Sequence, residues 1–301
     1  MRRAVLSVIG CCISVWSLWA GEGLAFQIVE ALPEAEISEG MLMPTDVDFG
    51  ADGTLYVLDG YQGRILARQP GGEIRVLKPE GACRLDRALG LAAYGTNLYV
   101  ANTAAGTVCE LGPDGACLRT VRMPREKGQS PSAPTDIAIE DDRAVIADRG
   151  AQALHICGYP TFASVRSVGA WEPPGGALNS PYLVTMKRQR ILVSDMMNGR
   201  LVEVAANGDF LNSFGERGVR EGQFVRPKGI ALGSREQVFV SDSTLGVVQV
   251  FDREFRYRGT VGNAGKPLYF EHPAGLAVHQ DRLAVVEEKA GRARLLRLRL
   301  P

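Results

Sequence analysis

Apolar and polar positions along the chain alternate with a period of two in short runs, as in Thr54-Leu55-Tyr56-Val57-Leu58 and Gln237-Val238-Phe239-Val240-Ser241. Gly, Asp and Pro bound these runs, and Asp52-Gly53 and Asn207-Gly208 supply the positive-φ positions of tight hairpin turns. The pattern predicts β-strands and leaves no room for a helix of ordinary length. The runs recur in an ordered unit of about 46 residues, each opening near residues 44, 88, 134, 181, 227 and 273. Pro44, Ala88, Pro134, Pro181, Pro227 and Pro273 stand at the openings. Fourteen or fifteen residues later come Asp59, Asn102, Asp148, Asp195, Asp242 and Glu287, and four beyond those Gly63, Gly106, Gln152, Gly199, Gly246 and Gly291. Each unit reads as a meander of four strands, a to d from an axis outward.

A repeat of this length and strand content predicts an all-β fold, a six-bladed β-propeller of four-stranded antiparallel blades spanning residues 26–301. The sixth unit supplies strands a, b and c, the last from Arg292 to Leu300, and lacks d. Phe26-Gln27-Ile28-Val29 onward is strand-like and has no unit of its own, so it is expected to pair beside the last strand and close the ring. Tryptophan-aspartate propeller signatures are missing, since Trp171 is the only Trp after the first 25 residues.

Phe224-Val225-Arg226-Pro227-Lys228-Gly229-Ile230-Ala231-Leu232, followed by Val238-Phe239-Val240-Ser241-Asp242 and Val248-Gln249-Val250-Phe251, resembles an NHL repeat. Pro44 through Asp59 with Gly63-Arg64-Ile65, and Pro181 through Asp195 with Asn198-Gly199-Arg200-Leu201, are similar. The resemblance covers residues 44–298 and implies a six-bladed propeller. It implies no single activity: members of this kind bind proteins or RNA, and related propellers carry lyase or lactone-hydrolase chemistry at a metal in the central channel. Exported proteins resembling it accompany redox assemblies, which makes a cytochrome-type or envelope partner an expectation.

The first residues change the picture of location. Arg2 and Arg3 precede an uncharged, mostly apolar run from Ala4 to Ala20 and a small-residue stretch ending Gly23-Leu24-Ala25, the layout of a signal peptide. Residues 1–25 are therefore read as a leader cleaved after Ala25, giving a secreted or periplasmic protein with no membrane span after cleavage. An uncleaved anchor is the alternative. Val8-Ile9-Gly10-Cys11 resembles a lipoprotein cleavage box only weakly. Lys plus Arg and Asp plus Glu number 34 each, so no basic field gathers nucleic acid. Beyond the leader stand Cys83, Cys109, Cys117 and Cys157. Cys109 and Cys117 flank the turn Gly112-Pro113-Asp114-Gly115 and are the expected disulfide if one forms; four buried free thiols are the alternative.

In such a meander the b–c and d–a loops emerge on one end of the ring, together with the Pro segments and the recurrent acids. That Pro/Asp end is the expected binding face. At its channel mouth Asp46 and Asp136, with Tyr182, Lys228 and His272, form an uneven rim suited to a cation or a polar ligand; alternatively each Asp bonds its own turn backbone. Asp59, Asn102, Asp148, Asp195, Asp242 and Glu287 are expected to cap the b–c loops, because a feature repeated in every unit is scaffold. His155, His272 and His279 fall in different parts of the unit and do not predict a zinc site. A Ca²⁺ held by Asp46, Asp48 and Asp136 is the one metal arrangement the sequence leaves open, and no cofactor is otherwise expected. No nucleophile elbow occurs. Arg294, Arg297 and Arg299 read as a solvated strand face. The resulting expectation is a rigid scaffold that binds a protein or small polar ligand, with a metal-dependent lactonase or lyase as the alternative.

Overall fold

The computed structural model describes residues 28–123, 130–172 and 174–299. A long strand, β1 (Ile28–Ile37), precedes β2 (Asp46–Phe49), β3 (Leu55–Asp59), β4 (Arg64–Arg68) and β5 (Ile74–Leu77). Next come β6 (Gly90–Tyr94), β7 (Asn97–Asn102), β8 (Thr107–Leu111) and β9 (Cys117–Arg122), then β10 (Pro134–Glu140), β11 (Arg143–Asp148), β12 (Ala153–Gly158) and β13 (Ala163–Val168). A small hairpin of β14 (Ala170–Trp171) and β15 (Gly176–Ala177) leads to β16 (Pro181–Lys187), β17 (Arg190–Asp195), β18 (Arg200–Ala205) and β19 (Phe210–Phe214). The chain continues through β20 (Pro227–Leu232), β21 (Val238–Asp242), β22 (Val247–Phe251), β23 (Tyr257–Asn263) and the short β24 (Lys266–Pro267). It finishes with β25 (Pro273–His279), β26 (Arg282–Glu287) and β27 (Arg292–Leu298).

These strands build small antiparallel sheets arranged in a ring, the architecture of a β-propeller. The inner strands β2, β6, β10, β16, β20 and β25 touch in that order, and β25 touches β2. Four sheets, β2–β5, β6–β9, β10–β13 and β16–β19, stand as separate four-stranded meanders. The remainder departs from six separate blades: β20 to β23 and β25 to β27 belong to one nine-stranded sheet, joined through β1. Ala31 to Ile37 of β1 pair antiparallel with β27, with a register shift between Pro33 and Ala35. Pro33 cannot donate to a ladder, and a bulge accommodates it. Ile28 to Glu30 overrun the end of β27 and pair parallel with Thr260 to Gly262 of β23. Phe26, Gln27 and the expected cleavage point after Ala25 lie outside the described residues.

Among the described residues the core is six apolar layers, each between neighbouring units, and a smaller seventh cluster at the axis. Val57 and Leu66 pack with Ala284 and Val286 in one, and Phe239 and Val250 with Leu283 and Val285 in the next. Both faces of every unit are thus covered, and each fully buried Leu or Val contributes about 1.5–3 kcal/mol.

Hydroxyls fasten the layers at the axis. The free edge of an inner strand carries carbonyls with no ladder partner, which must be satisfied some other way. Thr45 donates to Ala88 O (3.1 Å), Thr103 to Pro134 O (2.7 Å) and Thr135 to Pro181 O (3.1 Å). Ser194 donates to Lys228 O (2.7 Å) and Ser241 to Ala274 O (2.7 Å). The last junction uses backbone alone, Gly275 N to Thr45 O at 3.2 Å. Each bond runs from one unit to the first residues of the next inner strand.

The disulfide joins Cys83 to Cys117, with Cα atoms 5.4 Å apart, and Cys109 is free and buried. This corrects the expected Cys109–Cys117 bridge. A bulge between Glu110 and Leu111 sets Cys117 opposite Leu111, while Cys109 lies opposite Thr120. The 3₁₀ turn Gly81–Cys83 packs on this hairpin and delivers the real partner. Cys157 is also free and buried, its thiol pushed up to about 11 by burial.

Candidate functional site

The six repeated cap residues lie at the Pro/Asp end, and each holds the d–a loop that enters its own unit. Asp59, Asn102, Asp148, Asp195, Asp242 and Glu287 are all 0 % exposed at the end of their b strands. Each accepts a backbone N–H from the d–a loop entering its own unit: Met43 (3.5 Å), Asp86 (2.7 Å), Ala133 (2.9 Å), Asn179 (2.7 Å), Val225 and Arg226 (2.7 and 2.9 Å), and Glu271 (2.6 Å). Asp148 and Asp242 also accept from their own b–c loops, from Gly150 and Ala151 and from Thr244 and Leu245. Asp59, Asp195 and Glu287 face Arg64, Arg200 and Arg292, and Asp195 also accepts from Asn198 of its own b–c loop. Four residues on, Gly63, Gly106, Gln152, Gly199, Gly246 and Gly291 all have φ between 54° and 71°, which explains the near-invariant glycine.

Asp46 and Asp136 are buried in the channel wall, 4 % and 5 % exposed. Neither caps its own turn alone. Asp46 Oδ2 accepts from Leu91 N and Asp136 Oδ2 from Val184 N, both at 2.8 Å and both on the next inner strand. Asp48, two residues along β2, accepts from Ala93 N at 2.8 Å in the same way. The carboxylates thus satisfy free-edge N–H groups as the hydroxyls satisfy carbonyls. Burial raises all three above the usual range, Asp48 to about 6; for Asp46 the charge of Asp136, and for both Asp46 and Asp136 that of Asp48, adds to it. Among the described residues Asp136 Oδ1 has no hydrogen-bond partner.

The mouth at the Pro/Asp end is stoppered. Tyr182, 4 % exposed, packs with Leu183, Met196 and, from another unit, Leu89. Its hydroxyl donates to Glu288 Oε1 (3.3 Å), and Lys228 Nζ lies 2.6 Å from Glu288 Oε2 and 5.0 Å from the Tyr182 ring centre. Burial and the Glu288 charge hold the Tyr182 phenol well above its ordinary value. His272 is exposed, with φ 53°, and belongs neither to this group nor to the cavity below it. The expected rim therefore divides: Tyr182 and Lys228 close the mouth, Asp46 and Asp136 lie beneath, and His272 is outside. Glu288 was not foreseen. It follows its cap directly, where the other units carry Gly60, Thr103, Arg149, Met196 and Ser243, and variation beside a repeated position is the signal that could have found it.

Below the stopper is a cavity of about 260 Å³. Its lining runs from Asp46, Leu91 and Asp136 to Tyr94, Lys187 and Val278 at the far ends of the inner strands, so it opens at the a–b turn end, opposite the expected face. The three histidines are dispersed: His155 is buried between Asp148 and Ser167, and His279 lies against Phe49. Among the described residues no three His, Cys, Asp or Glu side chains are grouped to hold a metal. Arg294 departs from the solvated face expected of it. It lies 2.6 Å from Glu287 with its guanidinium 4.1 Å over Phe270, while Arg297 and Arg299 are exposed. Among the described residues no helix is long and apolar enough to cross a membrane.

Ring, capped loops and axial channel together define a β-propeller protein. No family model matches the chain. Among solved structures it is similar to a gluconolactonase from Xanthomonas campestris (TM-score 0.65, 15 % identity, 89 % of this chain and 97 % of that one). It is also similar to virginiamycin B lyase from Staphylococcus aureus (0.59, 11 %, 84 % and 79 %) and to a chain of Kuenenia stuttgartiensis hydrazine synthase (0.62, 12 %, 88 % and 98 %). Likeness at these identities shows the fold. Protein brain tumor of Drosophila melanogaster is 42 % identical over 53 residues, and the B-box type zinc finger protein ncl-1 of Caenorhabditis elegans 44 % over 45. Each match takes in 5 % of the relative's length.

Proposed function

We propose that the chain is an exported six-bladed propeller of the NHL type, two of its blades stitched together by β1, whose Pro/Asp loop face is a rigid docking surface for a protein partner. One observation carries this reading. Of the nine large apolar side chains exposed among the described residues, Leu42, Met43, Tyr61, Met197, Val219 and Tyr269 lie on b–c or d–a loops, all at that end. Exposed apolar groups gathered on one face mark interaction sites. The loops that carry them are held by the buried caps, so little ordering entropy opposes docking. A stoppered channel mouth gives this face a continuous surface rather than a cleft, which suits a macromolecule better than a small polar ligand. An exported redox or envelope assembly is the proposed partner class, in keeping with the fold likeness to a chain of hydrazine synthase.

The test is capture from an extract of the cell's own envelope with Leu42→Glu, Tyr61→Glu and Met197→Glu. The face variants are expected to retain the wild-type melting temperature and to lose a specific partner by about tenfold or more, as central interface residues do. Equal capture by wild type and all three variants would refute the assignment.

A further inference from the structure

The geometry points to Ser167 as an activated nucleophile that takes the acyl group of carboxylic esters, with His155 as its general base. Ser167, on β13, stands directly across the ladder from His155 on β12, and its Oγ lies 2.8 Å from His155 Nδ1. On the far side of the imidazole, Nε2 lies 3.3 Å from Asp148 Oδ2. His155 is 2 % exposed and Asp148 0 %, whereas Ser167 is exposed, so the relay starts in the core and ends at solvent. The carboxylate sets the tautomer. Asp148 is held at about 2, and an ionised carboxylate only accepts, so Nε2 carries the hydrogen. Nδ1 of the neutral ring is then a lone pair, and the Ser167 hydroxyl donates to it. Nucleophile, base within hydrogen-bond reach and a group that orients the base are the three parts of an acyl-transfer relay.

Only the third unit has these parts. Seven residues after the cap, where it carries His155, the others carry Leu66, Cys109, Val202, Gln249 and Arg294, and none of these is an imidazole. The fourth unit sets Ser213 across from Val202 at the same ladder position, a serine without a base. Capping needs no histidine either, since Asp242 holds its two loops without one. In Asp148 the loop bonds fall on Oδ1, from Ala133, Gly150 and Ala151, and Oδ2 is left to Ser132 and His155. Asp148 is therefore a positioning residue here as well as a cap. In the reaction Ser167 Oγ bonds to the ester carbonyl carbon as its proton passes to Nδ1. The adduct collapses with loss of the C–O bond to the alcohol, which leaves with that proton. Water then attacks the acyl-serine through the same base, releasing the carboxylic acid and restoring Ser167. The nucleophile lies on the outermost strand of its sheet and is not among the residues lining the channel cavity, so the ester approaches from solvent. That approach supplies no walls to twist an amide, which makes the more reactive ester the substrate class.

The experiment treats the full chain with diisopropyl phosphorofluoridate, whose fluoride Ser167 Oγ displaces as the proton passes to His155, and locates the adduct by peptide mass spectrometry. One adduct is expected, on Ser167 and not on Ser213. His155→Gln should slow its formation by at least about a hundredfold, within the range of about 10²–10⁴ that a general base supplies. Release of 4-nitrophenol from 4-nitrophenyl acetate should fall at least about tenfold in Ser167→Ala, a change at an exposed position. Asp148→Asn gives a second reading should His155→Gln not fold. The three backbone donors keep the amide oxygen, so the amide N–H₂ turns toward Nε2 and reverses the tautomer. The ¹⁵N spectrum of His155 should move from Nε2–H to Nδ1–H, and labelling of Ser167 should be lost at least about a hundredfold. Absence of an adduct on Ser167, equal labelling of Ser213, an unchanged rate in folded His155→Gln, or an Nδ1–H tautomer in the wild type would each overturn the proposal.

Discussion

Replacing Asp148 by Asn keeps the shape of the third unit's cap and removes its charge. Asp148 is 0 % exposed; its Oδ1 accepts from Ala133, Gly150 and Ala151 N–H, and its Oδ2 from Ser132 Oγ (2.6 Å) and faces His155 (3.3 Å). Burial opposes ionisation, but His155, Ser132 and the backbone donors outweigh it and hold the carboxyl at about 2. The folded state therefore binds fewer protons than the unfolded state between about pH 2 and pH 4, and stability rises with pH in that window. A depression of nearly two units corresponds to about 2.5 kcal/mol, fully present above about pH 5 and about half gone at pH 3. Asp148→Asn should lower unfolding free energy by about 2–3 kcal/mol at pH 7, and the gap between the two proteins should narrow as pH falls. The assay is urea denaturation followed by circular dichroism at pH 7, 4 and 3. A difference under about 1 kcal/mol at pH 7, or one that does not change with pH, would refute the reasoning.

The channel acids act with the opposite sign: carboxyls raised by burial bind more protons in the folded state, so their contribution falls as pH rises from about 4 through about 6. Asp48→Asn should raise the melting temperature at pH 7.5, by up to about 3 kcal/mol of stability, and leave it nearly unchanged at pH 4. Reduction of Cys83–Cys117, which closes a separation of 34 residues, should cost about 3–4 kcal/mol. Peptide mapping should find that bridge and find Cys109 unmodified by alkylating agents until the chain unfolds. Ala31→Glu places a charge at a position 0 % exposed between β23 and β27 and should cost several kcal/mol, whereas Glu34→Ala, at a surface pair with Arg282, should cost under about 1 kcal/mol. Equal effects of those two substitutions in thermal unfolding would contradict the placement of β1.

The strand units were legible because two positions in each demand special chemistry. The cap at Asp59, Asp148 or Asp242 must accept buried N–H groups, and the residue four later must take positive φ. Gln152 does this at 54° without being glycine, holding Arg149 O and Ser180 N with its amide. What depended on contacts across the ring was not legible. Ile28-Val29-Glu30 reads like any strand, and nothing local announces that it reaches β23. The turn that carries Cys83 has no periodic signal. Asp46 and Asp136 could be picked out, but their partners lie 45 and 48 residues away on neighbouring inner strands. Which end of the channel is open follows from the bulk of Tyr182 and Met196 meeting Leu89, a matter of volume that no motif encodes.

The placement of β1 has a consequence for how the protein is made. Of the described strands, its antiparallel neighbour β27 is the last to be synthesised and β1 the first. β1 must wait, unpaired on that edge, until the described strands between it and β27 have been made, while intermediate meanders have all their local partners and can condense as they appear. Pro33 in that waiting segment lacks the N–H that would otherwise help template a stray neighbour. Completion is thus a late, cooperative act timed by chain length, and a nascent polypeptide halted anywhere before Arg292 remains an open arc.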